Sequence, residues 1–103
     1  MRRLRVWHIP QIGGPTFYVE VKSLREAKLL MHVLADYDLF QFDNRIKPDY
    51  ANANGLTEFD PTDDTDGPEG SWTTWYNDDS DEIADIPMEE AERLDRAALP
   101  FHI

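Results

Sequence analysis

The segment Asp63-Asp64-Thr65-Asp66-Gly67 sets carboxylates ahead of a glycine, as calcium-binding loops do. Aligned on Gly67, the first ligand position falls on Thr62 and the twelfth on Thr73, where carboxylates are required, so the segment reads as a solvated acidic loop. His8, His32 and His102 stand on a strand, on a helix and in the tail, none beside a second ligand or a nucleophile. Their default role is core or surface. The chain has no cysteine, which excludes a thiolate metal site and a disulfide framework. Its 21 carboxylates make any one acid-base pair uninformative, and Gly13-Gly14 lacks the lysine or helix start of a phosphate loop. The expectation is a binding protein with no catalytic residue, no metal and no cofactor.

Trp72, Trp75 and Tyr76 have the chemistry of a binding surface, because large aromatic side chains are enriched at interface hot spots. On a strand, Trp72, Thr74 and Tyr76 share one face while Thr73 and Trp75 share the other, so one tryptophan can enter the core and the other stay exposed. Charge is as unevenly distributed. Residues 48–92 hold fifteen acids and no base, against eight bases and five acids in residues 1–47. The expected partner-binding residues are therefore Trp72, Trp75 and Tyr76 with Asp63, Asp64, Asp66, Asp78, Asp79 and Asp81. Their expected partner is a protein with a basic surface, with Arg2, Arg3 and Arg5 outside the contact.

These residues need a scaffold. Leu4, Val6 and His8 alternate with Arg5, Trp7 and Ile9, and Phe17, Val19 and Val21 with Tyr18 and Glu20, which predicts two strands joined antiparallel through Pro10–Pro15. Ser23-Leu24-Arg25-Glu26 is a capping box, the serine oxygen accepting from the Glu26 amide and the Glu26 carboxylate reaching back to the Ser23 amide. Leu24, Ala27, Met31 and Leu34 then predict a helix from Leu24 to about Tyr37. Leu39 to Phe42 reads as a short strand or turn, and Asp43 to Gly55 as a loop pinned by Ile46 and Tyr50. Two further strands are expected at Gly55–Phe59 and Ser71–Tyr76. Pro87, Glu89 and Glu90 suit the start of a second helix, weakly docked through Met88, Ala91, Leu94 and Ala98.

The predicted class is α+β: a small antiparallel sheet in the order strand, strand, helix, strand, strand, with one packed helix and a weakly docked C-terminal one. At 103 residues, one core is expected. It forms a single domain over residues 1–80, including a mobile acidic loop at 60–70, followed by an acidic linker and tail over 81–103. The apolar fraction of 41% is too high for a wholly disordered chain, despite a net charge of −11. No stretch approaches the roughly 20 apolar residues that span a bilayer. The expectation is a cytoplasmic protein without membrane insertion or direct nucleic-acid binding.

The segments Arg5–Pro10, Phe17–Val21, Leu34–Phe42, Ile46–Asn52 and Trp72–Tyr76 together resemble a family of short phage and prophage proteins, the superinfection exclusion proteins. The resemblance spans about residues 3–79 and implies a viral accessory protein in a bacterial cytoplasm. It implies no particular functional residues. The function expected is binding of a host or phage protein in superinfection exclusion. The alternative is an acidic nucleic-acid mimic that occupies the basic groove of a bacterial defence or regulatory protein.

Overall fold

Leu4, Val6 and His8 are at most 2% exposed, while Arg5, Trp7 and Ile9 between them are only half-buried. A pleated strand shows this alternation when only one of its faces meets a core. This strand, β1 (Leu4–Ile9), is joined in one sheet by β2 (Phe17–Val21), β3 (Ala53–Asp60) and β4 (Ser71–Thr74) in the order β2-β1-β3-β4, every pair antiparallel. The computed structural model describes residues 3–11, 13–45 and 53–98. The expected anchors Ile46 and Tyr50, along with Arg2 and His102, lie outside the described residues. The expected α+β class, with its strand, strand, helix, strand, strand order, is the one found.

One face of the sheet meets α1 (Leu24–Asp43) and a short 3-10 turn at Ile83–Asp85, and α2 (Met88–Ala98), which follows that turn, packs against α1. Leu4, Val6, Val21 and Leu56 from the strands meet Leu24, Ala27 and Met31 of α1, together with Ile83, Ile86 and Ala91. Leu30, Trp75 and Leu94 pack against this cluster. α2 also closes the start of α1: Asp95 accepts from the amides of Leu24 and Arg25 at 2.8 and 3.0 Å, and Arg25 pairs with Glu92 at 3.2 Å.

Three local expectations change. The Ser23 hydroxyl accepts from the Glu26 amide at 3.0 Å, but the Glu26 carboxylate takes the Lys22 amide at 3.1 Å rather than that of Ser23. With Ser23 fully extended (φ −155°, ψ 166°), the amide one residue upstream is the one within reach. Leu39 to Phe42 is neither strand nor turn but the last turns of α1, which runs on to Asp43. No glycine or proline interrupts residues 24–43, and each added helical residue gains a hydrogen bond without a new nucleation cost. Tyr37 and Phe40 stack on this turn, 6.4 Å apart. The helix stops where Asn44 donates to the Phe40 carbonyl and Arg45 takes φ 61°. Of the loop expected over 43–55, Asp43 belongs to α1 and residues 53–55 to β3, while residues 46–52 lie outside the described residues.

Candidate functional site

The register sorts the outward residues. Arg5 faces Glu20 on one side and Thr57 on the other, Trp7 faces Tyr18 and Gly55, and Phe59 faces Trp72. Residues paired directly share a face. Arg5, Trp7, Tyr18, Glu20, Thr57, Phe59 and Trp72 therefore lie together on the side opposite the helices, and no described element covers them.

Two glycines allow this surface its shape. A Cβ on Gly55 would lie 2.7 Å from the Trp7 ring, so the indole rests across bare backbone. At Gly70, with φ 131°, a Cβ would lie 2.5 Å from the Phe59 ring. That close approach seats Phe59 edge-on to Trp72, ring centroids 5.4 Å apart at 67°. Arg3 sits over both rings, 5.5 Å from Phe59 and 5.2 Å from Trp72. Arg5 lies 4.1 Å from the Tyr18 ring and 4.2 Å from that of Trp72. Arg3 also forks onto Glu20 at 2.7 and 3.1 Å. That hydrogen bond, more than the neighbouring charges of Arg3 and Arg5, holds the Glu20 carboxyl below its usual range.

The expected site residues do not form one patch. Trp72 stands on the outer face, whereas Trp75 packs against the core and its amide donates to the Leu56 carbonyl at 3.0 Å. Tyr76 is 53% exposed just past β4. Asp64 is exposed, but Asp63 accepts from the Thr65 amide at 2.8 Å and Asp66 from the Trp72 amide at 3.3 Å. Buried Ser71 ties this loop together, accepting from the Asp66 amide and donating to the Asp63 carbonyl. Asp78, Asp79 and Asp81 lie on an exposed turn where Asn77 Oδ1 accepts from the amides of Asp79 and Asp81. Asp78 lies close enough to α2 for Arg93 to feel its charge. Arg3 and Arg5, expected outside the contact, lie on this face beside Trp72 together with Tyr18 and Phe59, which the sequence reading placed only on strands. The β1 and β2 alternation already set Arg5 and Trp7 on one side, but only the pairing through β3 brings β4 to them.

A second feature is a cleft of about 800 Å³ between the β1–β2 loop and the later turns of α1. Pro10, Phe17 and Leu34 give it apolar walls, Gln11, Tyr37 and Gln41 add polar atoms, and buried His8 and Asp38 also line it. His8 Nε2 lies 2.8 Å from Asp38 Oδ2. Asn54 Nδ2 lies 3.4 Å from Nδ1, an arrangement that suits a ring whose Nε2 proton is donated to Asp38. Both ring nitrogens are thus engaged inside the protein, and no Ser, Thr or Cys is among the described lining residues. Among the described residues, no three His, Asp or Glu side chains are grouped to hold a metal, and no helix is long and apolar enough to cross a membrane.

A small α+β protein with a buried helical face and an open aromatic-arginine face is the class these features define. The chain belongs to a phage superinfection exclusion family: the family model described as superinfection exclusion gene product 17 matches residues 3–95. It is 47% identical over 97 residues to the superinfection exclusion protein of Salmonella phage P22, covering 89% of this chain and 92% of that protein. No solved structure matches the chain significantly.

Proposed function

We propose that this chain is a non-catalytic phage protein that acts in superinfection exclusion by holding a host or phage protein against its open sheet face. The observation that carries the reading is the uncovered grouping of Trp72, Phe59, Tyr18 and Trp7 with Arg3 and Arg5. Aromatic residues and arginine are enriched among the few residues that carry most of an interface's binding energy, where they fill well-packed, desolvated positions. The engaged nitrogens of His8 support a binding role over catalysis. Family membership supplies the biological setting.

The test compares the wild type with a Tyr18→Ala, Trp72→Ala double variant, both tagged and expressed in a bacterial host challenged with a superinfecting phage. The expected result is exclusion by the wild type, loss of exclusion by a folded double variant, and one protein retained only by the wild type. Exclusion at the wild-type level by the double variant would overturn the reading.

A further inference from the structure

Arg5 differs from Arg3 in one respect that bears on the partner. Arg3 directs Nε and Nη2 at Glu20, whereas the Arg5 side chain makes no hydrogen bond or ion pair among the described residues. Its Nε is buried without an acceptor, while its guanidinium is held between Tyr18 of β2 and Trp72 of β4. Enclosed in this way, Nε is out of a partner's reach, and what this half-buried residue offers a ligand is the terminal end of its guanidinium. Clamping removes much of the rotamer freedom that an arginine normally loses on binding, and the planar fork keeps the geometry that suits a two-oxygen acceptor.

The acceptor's chemistry follows from charge. Arg3, Arg5 and Glu20 sum to one positive charge on this face of a chain whose net charge is −11. A polyanion would gain at Arg5 but be repelled by the rest of the chain, since charges within a Debye length of about 8 Å still interact. A lone carboxylate on an otherwise neutral segment gains the local attraction and avoids most of the repulsion. The flanking Trp7 and Phe59 rings suit apolar neighbours of that carboxylate.

We propose that Arg5, clamped between Tyr18 and Trp72, receives an aspartate or glutamate carboxylate from the protein partner that lies on this face. The inference rests on the open-face reading and names the partner's contact chemistry. It departs from the basic contact expected of the acidic segment, where Asp63 and Asp66 already serve loop amides.

The test titrates the full ¹⁵N-labelled chain with the capped tripeptide acetyl-Val-Glu-Val-amide, its Val-Gln-Val counterpart and a short oligothymidylate, following the Arg5 Nε–H and Trp72 indole N–H resonances. The expected result is a saturable shift of both signals by the glutamate peptide, at least about tenfold weaker binding of the glutamine peptide, and no saturation by the oligonucleotide. Equal effects of the two peptides, no effect of either, or tighter binding of the oligonucleotide would overturn the inference. Arg5→Gln separates it from the broader reading. If that variant keeps partner capture and exclusion while Trp72→Ala loses both, the carboxylate contact is wrong and the open-face reading stands. If both variants keep them, the face itself is wrong.

Discussion

The imidazole of His8 and the carboxylate of Asp38 meet at 2.8 Å between β1 and α1, their side chains only 2% and 3% exposed. The pair joins the sheet to the later half of the long helix, beyond the main apolar cluster. Removing His8 takes from the buried Asp38 carboxyl a donor that offsets its burial, and losing one partner of a buried pair is strongly destabilising. His8→Leu is therefore expected to lower unfolding stability by about 3 kcal/mol in urea denaturation. A loss below about 1 kcal/mol would mean that solvent reaches Asp38 readily.

The start of α1 is capped from two directions, by Ser23 locally and by Asp95 from α2. Ser23→Ala should cost about 1 kcal/mol. Asp95→Ala should cost a similar amount, about 1 kcal/mol, because it leaves the Leu24 and Arg25 amides without their acceptor. Hydrogen exchange distinguishes the two: Asp95→Ala should also speed exchange across residues 88–98, since it removes a tie between the helices. Unchanged exchange there would assign the docking of α2 to Ala91 and Leu94 alone.

The element order was legible because short-range patterns carry it. Period-2 alternation marked β1 and β2, and Ser23 marked the start of α1. The end of α1 was not legible, because Leu39, Phe40 and Phe42 offer a strand-like pattern while the uninterrupted helix overrides local propensity. The candidate surface was legible only in part. The separation of Trp72 from Trp75 follows from strand alternation, but the meeting of Trp72 with Arg5 and Tyr18 depends on register between strands more than fifty residues apart. His8 and Asp38, thirty residues apart, carry no sequence signal of their pairing. Each looks ordinary alone.

Asp63 gives a pH dependence with a defined sign. Its carboxyl is held below the ordinary range, first by the Thr65 hydroxyl and then by the Thr65 amide. As pH falls, the unfolded chain binds this proton before the folded chain does. The contribution to stability is thus complete above the unfolded value of about 4 and is lost as pH falls through the lower folded value. Asp63→Asn mimics the neutral side chain. The wild type's melting temperature relative to this variant is therefore expected to fall between pH 7 and about pH 3. A difference constant across that range would show that the charged form gains nothing from Thr65.

Trp72 and Trp75 stand three residues apart, yet their substitutions should separate stability from function. Trp75 packs against the core cluster, so Trp75→Ala leaves a cavity and is expected to cost about 2–3 kcal/mol. Trp72 meets Phe59, Arg3 and Arg5 on the uncovered face, where truncation removes ring contacts but opens no cavity in the core. Trp72→Ala should cost about 1 kcal/mol, within the range of aromatic and cation–π contacts. Plating efficiency of a superinfecting phage, measured beside urea denaturation, then gives two independent axes. Trp72→Ala is expected to lose exclusion while remaining folded, and Trp75→Ala to lose exclusion only in proportion to its unfolded fraction, recovering it at lower growth temperature. The reverse pattern, with exclusion insensitive to Trp72 and lost in a fully folded Trp75 variant, would move the functional surface from the outer sheet face to the region around the end of β4.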